Sequence, residues 1–364
     1  MTGKLSAYVE TKGEVRKMEA LHEGALRTIE EVFGDRLKRR QSREASAGGA
    51  LASVFPVSAE EVEILARLAQ RHSVPLVALG AETAIETRSE EGSILVRFDL
   101  MRNLRLPESD ESWAEAEPGA LWLALDNDLR ARGRGLTVYP TSAPRATIGG
   151  WVAQDGLGVG SFEYGWLREN VLSADVVMPD GERRTVPGEE LRSVVGEEVG
   201  GIVVGATLRT RLAKNDVPYA LAFGDPEKLA GAVASISHVS VPLWHLAFLS
   251  PQMARIRGLG EDYLLFGAYP GDRGAVAEDL REIVSSHHGR VLPPTDAYRT
   301  WGERFFPVAP SRPTPALTDR TFVSVTEIAE SLKSRSARAV QGTVARSGEV
   351  LLLAFDAREE GWTR

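Results

Sequence analysis

The chain has 364 residues, enough for two or three domains each with its own core, and its 43% hydrophobic and 26% charged content is ordinary for a globular protein. A net charge of −8 without a Lys/Arg cluster argues against a nucleic-acid surface, and no apolar run approaches the roughly 18 residues of a membrane span. The absence of cysteine excludes disulfides, thiolate metal sites, cysteine-ligated iron–sulfur clusters and a cysteinyl–flavin link, and the opening MTGKLSAYVETKGEVRK lacks the apolar stretch of a secretory signal, so the cytoplasm is the expected location. Val15, Met18, Leu21, Ala25, Leu26, Ile29, Val32 and Phe33 recur near helical spacing and predict an amphipathic helix within residues 14–45, interrupted at Gly34-Asp35. Ala47 to Ala52 reads as a connector.

From Val54 the pattern is α/β. Val54-Phe55-Pro56 is a short strand, Ser58 an N-cap candidate, and the helix runs through Val62, Leu65, Ala66 and Ala69 to His72. Strands are predicted at Pro75–Leu79 and Ile94–Phe98, an edge strand at Ser112–Glu117 and a helix at Leu121–Arg132. Leu136–Tyr139 precedes Pro140, Val171–Val177 is a strand, and Asp180-Gly181 marks a hairpin tip. Further on, Leu221–Phe223, Leu243–Leu249 and Asp262–Tyr269 read as strands. Pro226–Ile236 and Asp272–His288 read as helices, so two strand–helix–strand passages predict a ferredoxin-like sheet with helices on one face. Ala309 to Pro315 is a proline-rich loop, and Val340–Asp356 a final hairpin turning at Arg346-Ser347-Gly348.

The stretch Ala146–Gly165, ATIGGWVAQDGLGVGSFEYG, holds six glycines in twenty residues between apolar segments. A backbone without Cβ atoms can be approached closely, so the stretch reads as a main-chain binding surface. Its register is Thr147-Ile148-Gly149-Gly150, then Ala153, Gly158, Ser161 and Tyr164-Gly165, with Ala146 at its head and Asp155 inside it as further candidate contacts. That register resembles the FAD-contacting segment of the vanillyl-alcohol oxidase / p-cresol methylhydroxylase (PCMH) superfamily, and within it the glycolate and D-lactate oxidase FAD subunits.

The resemblance implies an α+β fold: a two-subdomain PCMH-type FAD-binding domain followed by a ferredoxin-like α+β cap domain. It divides the chain into a helical segment (1–46), the FAD-binding domain (47–213, subdomains 47–105 and 106–213) and a substrate or cap domain (214–364) without the family's closing return to the flavin domain. It also implies non-covalent FAD, since no histidine lies in the glycine segments. The family's pyrophosphate loop, usually GGGT, corresponds to Gly80-Ala81-Glu82-Thr83-Ala84, where Gly80 and Thr83 match and Glu82 brings a carboxylate. An ordinary strand-to-helix turn would also account for it. Glu198 falls at the family glutamate of an altered GSEGTLGIIT element, and the backbone of Gly201, Ile202 and Val203 would approach the cofactor. On this reading a Cβ at Gly149 or Gly150 would enter the ligand's space.

For a small 2-hydroxy acid substrate the resemblance implies a base and a cation for the carboxylate. His245 in VPLWHLAF and Arg304 in a W-x-x-R match are the candidates, with a satisfied half-buried histidine and a surface arginine as the plain alternatives. The family's GHxGDGNxH segment has no counterpart near Gln341–Phe355. Two functions follow: a flavin-dependent oxidoreductase of the glycolate/D-lactate type, or a non-catalytic accessory subunit with weakened or lost FAD binding beside a catalytic flavin subunit and an iron–sulfur partner.

Overall fold

The computed structural model describes residues 22–39, 49–83, 91–107, 111–196, 199–213, 215–239, 241–305 and 316–356. Helix α1 (residues 22–33) is followed by β1 (Leu37–Arg39), β2 (Ala52–Val54), α2 (Ala59–His72), β3 (Leu76–Leu79) and β4 (Ile94–Arg97). The strands lie in the order β1-β2-β4-β3, with β2 and β3 both parallel to β4. Parallel pairing needs a crossover, and α2 supplies it between β2 and β3. Ser58 caps α2 by accepting from the Glu61 amide at 3.4 Å, and Val62, Leu65, Ala66, Leu68 and Ala69 recur on its buried face. Ala25, Leu26, Ile29 and Phe33 of α1 join the same core, so the N-terminal helical pattern is packed structure from residue 22 onward.

The second sheet contains β5 (Leu104–Arg105), β6 (Trp113–Ala116), β7 (Arg134–Leu136), β8 (Val171–Val177), β9 (Arg183–Val186) and β10 (Ile202–Leu212). Its order is β5-β6-β10-β8-β9, all antiparallel, with β7 also on β10. The expected edge strand at 112–117 is therefore interior: two residues of β5 cover its free side. Short helices α3 (Trp122–Arg130), α4 (Ile148–Gln154), α5 (Ser161–Tyr164) and α6 (Leu191–Val194) complete this region. The two sheets share a core through Val177, Ile202 and Val204, which pack with residues of the first sheet.

The third sheet has the order β14-β11-β13-β12-β16-β17-β15. Its strands are β11 (Asp216–Phe223), β12 (His245–Leu249), β13 (Tyr263–Pro270), β14 (Arg290–Val291), β15 (Ala316–Ser324), β16 (Ala339–Val344) and β17 (Glu349–Asp356). Its helices are α7 (Pro226–Val239), α8 (Pro251–Ile256), α9 (Val276–Ser286), α10 (Pro294–Gly302) and α11 (Ile328–Ser334). The first four strands, with α7 and α9, form the expected ferredoxin-like unit. The hairpin β16–β17 and the strand β15, which no sequence signal marked, extend it at the β12 edge. Both faces are covered, not one. Leu246 and Phe248 pack toward α7, α9 and α11, whereas Ala247 and Leu249 face α8, α10 and Leu157 of the glycine stretch. The two-residue period of β12 thus turns His245 toward the preceding domain.

Candidate functional site

The glycine stretch begins as α4. Thr147 caps it, its Oγ1 accepting from the Gly150 amide at 3.4 Å, while the amides of Ile148 and Gly149 donate to Ala120 O (2.8 Å) and Pro118 O (2.9 Å). All three amides are therefore spent inside the protein. A Cβ on Gly149 would lie 2.7 Å from Pro118 Cβ, and one on Gly150 would lie 3.0 Å from Thr147 Oγ1 and 3.6 Å from Gly80 Cα. These glycines let α4 seat against neighbouring backbone, which corrects the expectation that their bare side faces open ligand space.

Open space lies beside them. A cavity of about 310 Å3 is bounded by Gly80, Ala81, Glu82 and Thr83 after β3, by Ala146, Thr147, Gly149 and Gly150 at the start of α4, and by Gly201, Ile202 and Val203 at the start of β10. Trp151, Ala153 and Gln154 close one side. No hydrogen bond among the described residues uses the amides of Gly80, Ala81, Glu82 or Thr83. Four consecutive unpaired amides beside a cavity suit an anion, and Glu82, at φ 52°, is exposed. Ala84 and Glu198 lie outside the described residues.

Asp155, Gly158, Ser161, Tyr164 and Gly165 do not line this cavity. Asp155 is buried, its carboxylate taken by the Arg168 amide (3.1 Å) and by Arg168 Nη1 (2.5 Å), with Arg192 at 3.3 Å. Ser161 Oγ accepts from the Gly158 amide at 2.9 Å. A Cβ on Gly165 would meet Glu169 Oε2, and Tyr164 borders a separate cleft with Arg209 and Arg273. From Gly156 onward each glycine of the stretch lies against protein atoms. A Cβ at Gly156 would lie 2.7 Å from Arg320 Nη2, at Gly158 2.2 Å from Tyr139 O and 3.0 Å from the Trp151 ring, and at Gly160 2.6 Å from Trp244 Nε1. Arg320, on the unpredicted β15, donates to Asp155 O at 2.9 Å.

His245 and Arg304 also sit away from the cavity. His245 is fully buried; its Nδ1 accepts from the Gly160 amide at 3.3 Å, which leaves the proton on Nε2, and Nε2 has no partner among the described residues. Burial, and then the nearby Arg304 charge, pushes its pKa down to about 3, so the ring is neutral. Half-buried Arg304 donates from Nε to Tyr139 Oη (3.2 Å) and from Nη1 to Trp301 O (2.9 Å), and its guanidinium lies over Trp301 and Phe305 at 4.4 and 4.1 Å. Both residues brace an aromatic seam in which Trp244 meets Tyr139 at 6.1 Å and Trp301 at 5.8 Å. Arg304→Ala is accordingly expected to lower the urea midpoint of unfolding, at a cost of about 1–2 kcal/mol, through lost packing and an unpaired Tyr139 hydroxyl. An unchanged midpoint would remove it from the seam.

Two sheets bordering a bare main-chain cavity, followed by a covered antiparallel sheet, give the chain a fold of the PCMH type. Residues 50–186 match the FAD binding domain family, and the chain carries that domain. Over 259 residues it is 28% identical to the mitochondrial D-lactate dehydrogenase [cytochrome] of Arabidopsis thaliana, covering 65% of this chain and 45% of that protein. It is 25% identical over 133 residues to glycolate oxidase subunit GlcD of Bacillus subtilis, covering 36% and 28%. The structure of p-cresol methylhydroxylase with substrate bound superposes with a TM-score of 0.67 at 14% identity, over 93% of this chain and 83% of that one, a likeness of fold. The chain spans less than half the length of these two sequence relatives. FAD is the cofactor of the matched domain. The loop 80–83 and its cavity fit a dinucleotide phosphate and its neighbours, whereas the segment beyond Gln154 is filled by protein. The residues present thus fit part of FAD.

Sequence reasoning missed Arg97, Arg102, Arg145 and Arg320. Arginines in loops, at the end of a predicted strand and on an unmarked one carry no spacing signal, and only the fold gathers them.

Proposed function

We propose that this chain is an FAD-binding component of a 2-hydroxy-acid oxidoreductase, working in the cytoplasm with a small 2-hydroxy acid as the oxidised substrate. One observation carries the reading: four unpaired amides, those of Gly80, Ala81, Glu82 and Thr83, edge a cavity otherwise lined by the main chain of α4 and β10. On this reading Gly80, Ala81, Thr83, Thr147, Gly150, Gly201, Ile202 and Val203 hold the cofactor through backbone and small side chains. D-lactate and glycolate, named for the relatives, set the substrate class. FAD supplies the redox chemistry when bound.

A second reading, an accessory subunit beside a catalytic flavin subunit and an iron–sulfur partner, is favoured by the complete burial of His245, which leaves no described histidine at the cavity. The first reading expects FAD to bind, and the second expects that binding to be weakened or lost. Titration of the flavin-free chain with FAD, followed by quenching of Trp151 at the cavity wall, measures it. Gly80→Val is expected to weaken binding at least tenfold, because its Cβ would lie 2.7 Å from Thr147 Oγ1 and force the loop off α4. Normal affinity in that variant would move the site elsewhere. Bleaching of the bound flavin by glycolate or D-lactate selects the catalytic reading, and no bleaching selects the accessory one.

A further inference from the structure

We infer that this chain grips FAD by its adenosine-diphosphate half alone, with the phosphates at the 80–83 loop and the flavin ring left outside the packed core. The inference rests on the cavity being the FAD seat and concerns which half of the molecule it holds.

The first ground is room. Small-ligand pockets run from about 300 to 1,000 Å3, and this one, at about 310 Å3, stands at the lower end. FAD consists of two bulky halves joined through a pyrophosphate; this cavity is of a size for one, and the space that adjoins it is lined by Arg97, Arg102 and Arg145, which suit phosphates and not a tricyclic ring.

The second ground is closure. Beyond Gln154 the chain runs on as Asp155-Gly156-Leu157-Gly158-Val159-Gly160, and Asp155, Leu157 and Val159 are each at most 4% exposed. The space that the missing side chains free is used by Arg320, Trp151, Trp244 and the carbonyls of Thr137 and Tyr139. Trp244 is pinned there: its Nε1 donates to Thr137 O at 3.0 Å, and the Arg211 guanidinium lies 3.6 Å from its ring centre, itself paired with Asp216 at 2.7 Å. Opening this seam for a tricyclic ring would break a buried ion pair, a buried indole hydrogen bond and the Gly160–His245 contact together.

The third ground is charge. Across Leu79, Gly80, Ala81, Glu82, Phe98 and Thr147 the cavity adjoins a second one of about 300 Å3, lined further by Arg97, Arg102 and Arg145. Arg97 and Arg102 share Asp99, at 3.2 and 3.4 Å, and Arg145 pairs with no carboxylate among the described residues. Three guanidinium groups against Asp99 and Glu82 leave one positive charge beside the four free amides, which is where a pyrophosphate would lie. The cations that a GGGT loop does not need are present here, next to a loop that carries a carboxylate.

Equilibrium dialysis of the purified full chain against FAD, ADP and FMN tests this. ADP is expected to displace FAD with a dissociation constant within roughly tenfold of that of FAD, and FMN is expected not to displace it. Iodide should quench the fluorescence of bound FAD as readily as that of free FAD. Displacement by FMN, or a ring shielded from iodide, overturns the inference while leaving the FAD seat standing. Failure of both FAD and ADP to bind removes the seat and the inference with it. Arg145→Ala should weaken ADP and FAD alike, by about five- to tenfold. Unchanged affinity for ADP in that variant overturns the placement of the phosphates.

Discussion

Gly160→Ala is expected to cost about 3–5 kcal/mol of folding stability, read as a fall in the urea midpoint at constant m-value. Gly160 has φ 96°, a conformation that costs an L-residue about 1–2 kcal/mol. Its Cβ would also crowd Thr137 O and lie 2.6 Å from Trp244 Nε1, two atoms hydrogen-bonded to each other, so the segment before α5 would have to move. Overpacking of that kind adds about 1–3 kcal/mol. The shift would also pull the Gly160 amide from His245 Nδ1. The result bears on what the glycine stretch does. If Gly160 serves domain packing, saturating FAD leaves the loss in place. If the variant folds with normal stability and only loses flavin, the stretch beyond Gln154 is a ligand surface and the closure described above is wrong.

Acid is expected to destabilise the fold from about pH 6.5 downward, well before carboxylates protonate. His245 has a folded pKa of about 3 against 6.5 when unfolded. Between those values the unfolded chain binds a proton that the folded one refuses, so stability falls as pH falls. The slope is about 1.4 kcal/mol per pH unit, or about 2 kcal/mol lost between pH 6.5 and pH 5. The group is completely buried, so solvent does not screen the effect. Asp216 acts lower: burial pushes its pKa up, but Arg211 and Arg130 outweigh that and hold it below the ordinary 3.8, so its contribution is complete above that value and is lost beneath it. The window from pH 4.5 to 6.5 therefore isolates the histidine. His245→Asn, whose Oδ1 can take over the bond from Gly160, should flatten the pH dependence there. An equally steep slope in that variant would assign the titration to another group.

Local order was written in local residues. Ser58 with Glu60-Glu61 and the Val62–Ala69 period fixed α2, Asp180-Gly181 the β8–β9 hairpin, and Arg346-Ser347-Gly348 the last one. Each is a bond or a packing preference made within a few positions, so a short window contains its cause. The glycine register pointed to a PCMH-type FAD domain for the same reason: a close approach to backbone needs absent side chains, and absence is visible in the sequence.

What those glycines approach was not visible. Gly149 against Pro118, Gly156 against Arg320, Gly160 against Trp244, and Arg97, Arg102 and Arg145 around one loop are contacts between distant positions, some between separate sheets. Composition alone fixed a cysteine-free, net acidic chain, and periodicity fixed most of its elements. Tertiary packing decided that His245 faces an amide instead of a substrate and that Arg304 braces an aromatic seam. Packing also decided that, among the described residues, the glycines beyond Gln154 meet protein atoms, because whether a bare backbone meets ligand or protein depends on which side chains the completed fold delivers to it.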